Sequence, residues 1–198
     1  MVIRFSSLGD IILTFPLLKK IKRNYPSAEI HFLSKKSYEE VLKLNPNLDK
    51  ILCYEKSLTE IRKTIIKENY DVIFDLHKNI KSIYVSSFNS KKVFRYKKEN
   101  FKKFLLVRFK LNLFKEIIPV YKKYLICAKD LLNEKDFEFE SDELRFTRDN
   151  IMDGSYTVIA PAARHFTKTY PAEKFIEFIN KSFARKFVLV GDKTENDK

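Results

Sequence analysis

The chain is 198 residues long and carries 39 Lys and Arg against 26 Asp and Glu, a formal net charge of +13. A hydrophobic fraction of 44%, with 18 Phe and 10 Tyr, supplies a core and excludes wholesale disorder, while only three Gly exclude Gly-rich repeats and flexible linkers. The charge surplus points to an acidic partner, whether nucleic acid, an anionic membrane face or a phosphate-rich substrate.

In chain order, Val2-Ile3-Arg4-Phe5 reads as a short strand ending at Ser6-Ser7-Leu8-Gly9, and apolar residues at Ile11, Ile12, Phe15, Leu18 and Ile21 predict a helix over Asp10 to Asn24. The pattern recurs as strand Glu29 to Leu33, helix Tyr38 to Leu44, strand Lys50 to Tyr54 and helix Leu58 to Glu68. Asp71 to Leu76 is a near-continuous apolar run of the kind buried on both faces of a parallel sheet. A strand at Lys92 to Tyr96 precedes helices over Phe101 to Phe114 and Val120 to Leu132. Strands alternating with helices predict an α/β fold, a doubly wound Rossmann-like parallel sheet, over residues 1–132.

Residues 133–153 are rich in acidic side chains, among them Glu134, Asp136, Glu138, Glu140, Asp142 and Glu143, and read as a linker. A second α/β unit over 154–198 follows: strand Tyr156 to Ala160, loop Pro161 to Thr169, helix Pro171 to Phe183 and strand Lys186 to Val190. One β-α-β unit is too little for a parallel-sheet domain, so the second domain is expected to be incomplete in this chain.

Cys53 and Cys127 stand alone, which argues against a disulfide framework or a zinc site and for a reducing compartment. Arg4 and Asp10 break the N-terminal apolar run, and Ile11 to Leu18, interrupted by Thr14 and Pro16, falls short of the ~18 residues of a membrane helix. A cytoplasmic protein is expected, or one held peripherally at a membrane.

The charge is concentrated. Between Lys78 and Lys123, 14 basic residues stand against Glu99 and Glu116, a net of +12. Apolar residues interleave with it, as in Phe94-Arg95-Tyr96-Lys97-Lys98, Phe101-Lys102-Lys103-Phe104 and Val107-Arg108-Phe109-Lys110. Such a run is either the solvated face of helices or a surface for an anionic amphiphile or nucleic acid. No helix-turn-helix, RNA-recognition or zinc-finger pattern accompanies it, so no specific nucleic-acid partner is expected.

Three turns lie where an open α/β sheet binds ligands, at the carboxyl ends of strands. In Ser6-Ser7-Leu8-Gly9-Asp10 the small residues admit a substrate to the backbone, Gly9 can take conformations closed to other residues, and Asp10 is either a helix cap or a general base. Spacing alone favours the cap. In Asp75-Leu76-His77-Lys78-Asn79, His77 can hydrogen-bond or donate a proton to a substrate, or hold the loop. In Ala160 to Pro171 the strand-to-helix junction suits an anion, with Arg164 and Lys168 adding positive charge. No His, Cys or carboxylate cluster has metal-ligand spacing, and no G-x-S-x-G, Walker or G-x-G-x-x-G motif occurs.

Arg4-Phe5-Ser6-Ser7-Leu8-Gly9-Asp10-Ile11-Ile12-Leu13-Thr14-Phe15-Pro16-Leu17, Tyr70 to Ser82, Ala160 to Arg164 with Lys168 to Phe175, and Val188-Leu189-Val190-Gly191 with Glu195 together resemble the lipopolysaccharide heptosyltransferases of glycosyltransferase family 9. The resemblance implies a B-type glycosyltransferase architecture of two Rossmann-like domains, the first binding the acceptor and the second the nucleotide sugar. It implies transfer of heptose from ADP-heptose, the donor substrate, to the lipopolysaccharide inner core, with inversion and with no metal or other cofactor required. By position Asp10 falls on the family's base, Lys168 on a lysine contacting the donor phosphates, and Ala163 and Arg164 on the donor loop. With it the base reading of Asp10 overtakes the cap, and the two are compatible.

On the acceptor side stand Ser6, Ser7, Gly9, His77 and Lys78, with Lys97, Lys98, Lys102 and Lys103 as a basic surface for an acidic lipid acceptor at the cytoplasmic face of the inner membrane. The donor motif further along the family's second domain has no counterpart before Lys198, so this chain alone is expected to be inactive. The competing readings are a related transferase using another nucleotide sugar and a non-catalytic remnant that binds anionic glycolipid or nucleic acid.

Overall fold

A strand buried on both sides must supply apolar groups to two cores, and neighbouring residues of the first strand do so: Val2 belongs to one buried cluster and Ile3 to the other. The same alternation recurs in the strands beside it, with Phe32 and Phe74 joining Val2 while Leu33 and Ile73 join Ile3. The computed structural model describes residues 1–55, 57–87, 90–138, 140, 153–161, 169–183 and 186–191. It divides into two compact units, Met1–Thr147 and Arg148–Lys198.

The first unit runs β1 (Val2–Ile3), α1 (Leu8–Ile12), α2 (Phe15–Asn24), β2 (His31–Lys35), α3 (Glu39–Lys43), β3 (Lys50–Tyr54), α4 (Thr59–Glu68), β4 (Tyr70–Asp75), α5 (Ile80–Ser86), β5 (Ser90–Arg95), α6 (Asn100–Phe109) and α7 (Val120–Cys127). Its five strands are all parallel in the order β3-β2-β1-β4-β5. Ile3 pairs with Leu33 on one side and Asp75 on the other, so the strand order reverses between β1 and β4. On one face α2 contributes Phe15, Leu17, Leu18 and Ile21 and α7 contributes Tyr124 and Leu125; on the other face Ile65 of α4 and Val85 of α5 close the core. Each such side chain contributes roughly 1.5–3 kcal/mol by leaving water.

The helix expected over Asp10 to Asn24 is two helices, α1 and α2, meeting at Leu13 and Thr14. Pro16 explains the break: it has no N–H to donate and its ring collides with the carbonyl four residues earlier, but it is tolerated in the first turn of a new helix. The helix expected to Phe114 ends at Phe109, where Lys110 takes a left-handed φ of 58°.

The acidic stretch read as a linker begins as part of the first unit. A single 3₁₀ turn over Glu134–Phe137 places Asp136, 2% exposed, against α2. It accepts from Arg23, from Asn24 Nδ2 at 2.8 Å and from the Asn133 N–H at 2.9 Å. Glu140 accepts from Lys20 at 2.8 Å and Arg23 at 2.7 Å. Lys20 is 1% exposed, and an ammonium taken that far from water requires such partners. In the second unit β6 (Thr157–Ile159) pairs in parallel with β7 (Phe187–Leu189) across α8 (Ala172–Lys181).

Candidate functional site

Where strand order reverses, the loops leaving the two central strands diverge to opposite faces and open a crevice at their carboxyl ends. Here those loops follow β1 and β4, and they carry Ser6, Ser7, Gly9 and Asp10 on one side and His77 and Lys78 on the other.

Arg4 joins the two. It is 9% exposed, so its guanidinium needs local partners. Nη1 donates to the Leu76 carbonyl at 2.8 Å and Nη2 to Asp10, and the guanidinium carbon lies 5.9 Å from the centre of the Tyr124 ring. Asp10 is the third residue of α1, and Ser7 rather than Asp10 is the N-cap, because the helix begins two residues sooner than its apolar pattern suggests. All three donors to Asp10 meet one oxygen: Oδ2 accepts from Arg4, from Ser7 Oγ at 3.1 Å and from the Ser7 N–H at 3.4 Å. Among the described residues Oδ1 receives none of them. The peptide between Ser6 and Ser7 is cis.

Gly9 does not use the conformational freedom expected of it. It lies within α1, away from the left-handed region, and a Cβ there would meet nothing within 4 Å. What it contributes is open space beside Asp10.

The opposite wall is organised by Asp75, which is fully buried. It accepts from the His77 N–H at 3.1 Å, the Lys78 N–H at 2.8 Å and Ser82 Oγ at 3.0 Å. Lys78 is held at φ 46°, a conformation costly for a residue with a Cβ. The His77 ring packs 5.1 Å from that of Phe5, and its Nδ1 is buried with no hydrogen-bond partner among the described residues. Burial first, then the nearby charges of Arg4 and Lys98, lower the His77 pKa to about 4. At neutral pH the ring is therefore an uncharged hydrogen-bonding group, and the expectation that it donates a proton narrows to that.

Lys98 joins this cluster by donating to the Lys78 carbonyl at 2.9 Å, and burial, then Arg4, push its ammonium below the usual lysine range. The rest of the expected basic surface lies elsewhere. Lys97 edges a pocket of about 380 Å³ that Arg95, Phe94, Ile118, Lys123 and Cys127 also line. Lys102 pairs with Glu99 at 3.1 Å, as does Lys123 at 2.6 Å, and Lys103 is exposed on α6. Burial raises the Cys53 thiol and pushes that of Cys127 up to about 12, so neither is a thiolate nucleophile at neutral pH. Ala163, Arg164 and Lys168 lie outside the described residues.

Sequence reasoning missed Arg4 and Asp75 as organisers. The signal was present in both: each is a charged residue at the end of an apolar strand, where burial demands partners. Among the described residues no group of three or more His, Cys, Asp or Glu is placed to hold a metal ion, and no helix is long and apolar enough to cross a membrane.

Residues 58–198 match the family model of glycosyltransferase family 9 (heptosyltransferase). The chain belongs to that family. The Asp10 turn precedes the matched span, and the structural likenesses below, which cover 99% of the chain, extend over it in fold alone. The chain is 31% identical to lipopolysaccharide heptosyltransferase 1 of Campylobacter coli, over 71% of this chain and 45% of that protein. It therefore spans less than half the length of that relative. Over 99% of its residues it superposes on 63% of a family 9 glycosyl transferase from Veillonella parvula, with a TM-score of 0.78 and 18% identity. Over the same share it superposes on 69% of the E. coli heptosyltransferase WaaC solved with ADP, with a TM-score of 0.68 and 17% identity. The fold is the family's B-type glycosyltransferase architecture, two α/β units of which the second is represented here by β6, α8 and β7.

Proposed function

We propose that this chain supplies the acceptor domain and the opening of the donor domain of an inverting heptosyltransferase that moves heptose from ADP-heptose to the lipopolysaccharide inner core. One observation carries the reading: at the switch point of the sheet, Asp10 is held by three donors on Oδ2 while Oδ1 is left to accept a proton. Family membership supports the reaction class, the Campylobacter relative supports a lipopolysaccharide acceptor, and the ADP in the E. coli structure supports an adenine nucleotide donor.

In this mechanism Oδ1 removes the proton from an acceptor hydroxyl, and the oxygen attacks the anomeric carbon from the face opposite the diphosphate. The bond from that carbon to the ADP oxygen breaks as the new one forms, which inverts the configuration. Arg4 and Ser7 fix the carboxylate so that little reorganisation is needed. Lys78 and Lys98 present positive charge to an anionic acceptor, and neutral His77 offers a hydrogen bond. The charge that develops on the departing ADP falls to Lys168, with Ala163 and Arg164 in the adjoining loop. ADP-heptose is a substrate in this scheme, and no cofactor is assigned. The enzyme works in the cytoplasm, peripheral to the inner-membrane face that bears the acceptor.

Asp10→Asn in the full-length protein tests the assignment. Turnover should fall at least about a hundredfold, as for loss of a general base, with ADP-heptose binding retained. Near-normal turnover refutes Asp10 as base, and a panel of nucleotide sugars in which another donor outperforms ADP-heptose refutes the donor.

A further inference from the structure

An amphipathic surface helix ordinarily turns one apolar stripe to the core. α6 does not: only Lys102 and Leu105 are half-buried, and the rest of the helix is exposed. Phe101 and Val107 are 70% and 74% exposed, and Phe104 and Phe109 lie open beside them. Beyond the helix, Ile117 is 91% exposed, with Leu111 and Leu113 also in solvent. This run of apolar groups is far more than the scattered single residues normal on a soluble surface.

The charge around it restricts what can cover it. From Asn100 to Lys123 seven basic residues stand against Glu116 alone. Among the described residues Lys103, Arg108 and Lys110 have no acidic partner, although Arg108 lies 5.9 Å from the Phe109 ring centre. A protein partner would have to bury these cations, and lysine is depleted from the cores of protein interfaces. Nucleic acid would meet the lysines but leave Val107, Leu111, Leu113 and Ile117 in water. An anionic bilayer takes both groups at once: rings and aliphatic chains enter the boundary between headgroups and acyl chains, while Lys and Arg snorkel to lipid phosphates.

We propose that α6 and the segment from Leu111 to Ile117 form an interfacial anchor, laying Phe101, Phe104, Val107 and Phe109 into the headgroup boundary of an anionic membrane. The anchor gives the peripheral placement proposed above a physical basis and rests on that reading only for which membrane it meets. Loss of transfer activity would leave it untouched, and its own failure would leave the chemistry at Asp10 untouched.

The chain contains no Trp, so Phe104→Trp installs a single reporter in the 198-residue protein. With phosphatidylcholine vesicles containing about one-third phosphatidylglycerol, emission should shift to the blue and be quenched by lipids brominated along the acyl chain, whereas phosphatidylcholine alone should do neither. Reversing Lys103, Arg108 and Lys110 to Glu should weaken vesicle binding about a hundredfold. Changing Phe101, Val107 and Phe109 to Ser should weaken it at least about tenfold with the circular dichroism unchanged, since all three are exposed. Three results would overturn the anchor. They are a reporter that stays in water while added salt releases all bound protein, a concentration-dependent dimer that the Ser variant abolishes while vesicle binding persists, and tighter binding to duplex DNA than to the anionic vesicles.

Discussion

In the loop that carries His77 and Lys78 two backbone N–H groups and the Ser82 hydroxyl donate to one carboxylate, and removing it has a calculable cost. Asp75→Ala leaves the His77 N–H, the Lys78 N–H and Ser82 Oγ without their acceptor. Hydrogen bonds to a charged group contribute about 1.5–3 kcal/mol each, so three of them amount to about 4.5–9 kcal/mol before any compensation. Two effects reduce it. Ser82 Oγ also donates to the Asn79 carbonyl at 3.1 Å, so its hydroxyl keeps a partner, and the two backbone groups are partly buried and within reach of water. A loss of about 3 kcal/mol is expected, a large share of the ~5–15 kcal/mol typical of a domain. Asp75→Asn keeps an oxygen for the two N–H groups and lets the Ser82 hydroxyl rotate to accept from the new amide, so about 1 kcal/mol should be lost. Urea denaturation at neutral pH, followed by circular dichroism, measures both. The loop also encloses His77, so in Asp75→Ala its titration should move from about 4 back toward the ordinary histidine value of 6.5. Asparagine proving costlier than alanine, or alanine costing under about 0.5 kcal/mol, would show that the loop is held by something else.

Two pH dependences follow with opposite visibility. Lys20 first, then Arg23, lower the Glu140 pKa from 4.5 to about 2, so the stability this carboxylate contributes is complete above pH 4.5 and lost as pH falls toward 2. Glu140 is 37% exposed, so solvent screening limits the effect to about 1 kcal/mol or less; Glu140→Gln should flatten the melting temperature between those pH values, and an unchanged slope refutes the pairing. For His77 the depressed value means that unfolded chains take up a proton below 6.5 while the native ring does not until about 4, so stability is unaffected above 6.5 and declines as pH falls from 6.5 to 4. Proton NMR of the imidazole, assigned by its loss in His77→Gln, should show the midpoint near 4; a midpoint above 6 would place the ring in solvent.

The five strands were legible because apolar neighbours in short runs must serve two faces, and β3 runs from Lys50 to Tyr54 as the sequence suggests. Boundaries slipped where a single residue overruled the pattern, as Pro16 did for the first helix and Lys110 for α6. The turn marked Asp10 as a cap or a base and the family resemblance turned it toward the base, but its partner Arg4 was not legible. Arg4 reaches a carbonyl 72 positions away, and Lys20 reaches Glu140 across 120 positions, pairings that only the folded chain brings into register. The apolar residues of 101–113 carry the composition of a core helix, and nothing local distinguishes a buried Phe from one left in water. That difference is set by which elements pack nearby, and among the described residues α6 keeps only Lys102 and Leu105 half-buried.

The basic segment separates into populations with different physical consequences. Lys91 pairs with Asp71 at 2.7 Å, Lys92 with Asp130 at 3.6 Å, and Lys102 and Lys123 share Glu99, so these cations are largely spent within the fold. Lys78 and Lys98 lie together at the carboxyl end of the sheet, where Lys98 donates to the Lys78 carbonyl and is partly desolvated. Lys103, Arg108 and Lys110 lie open on or beside α6, where a Debye length of about 8 Å at physiological salt confines their influence to a surface in near contact. Five of the fourteen cations thus fall in two separate places, Lys78 and Lys98 at the carboxyl end of the sheet and Lys103, Arg108 and Lys110 on or beside α6, the second being the surface proposed above to meet a membrane.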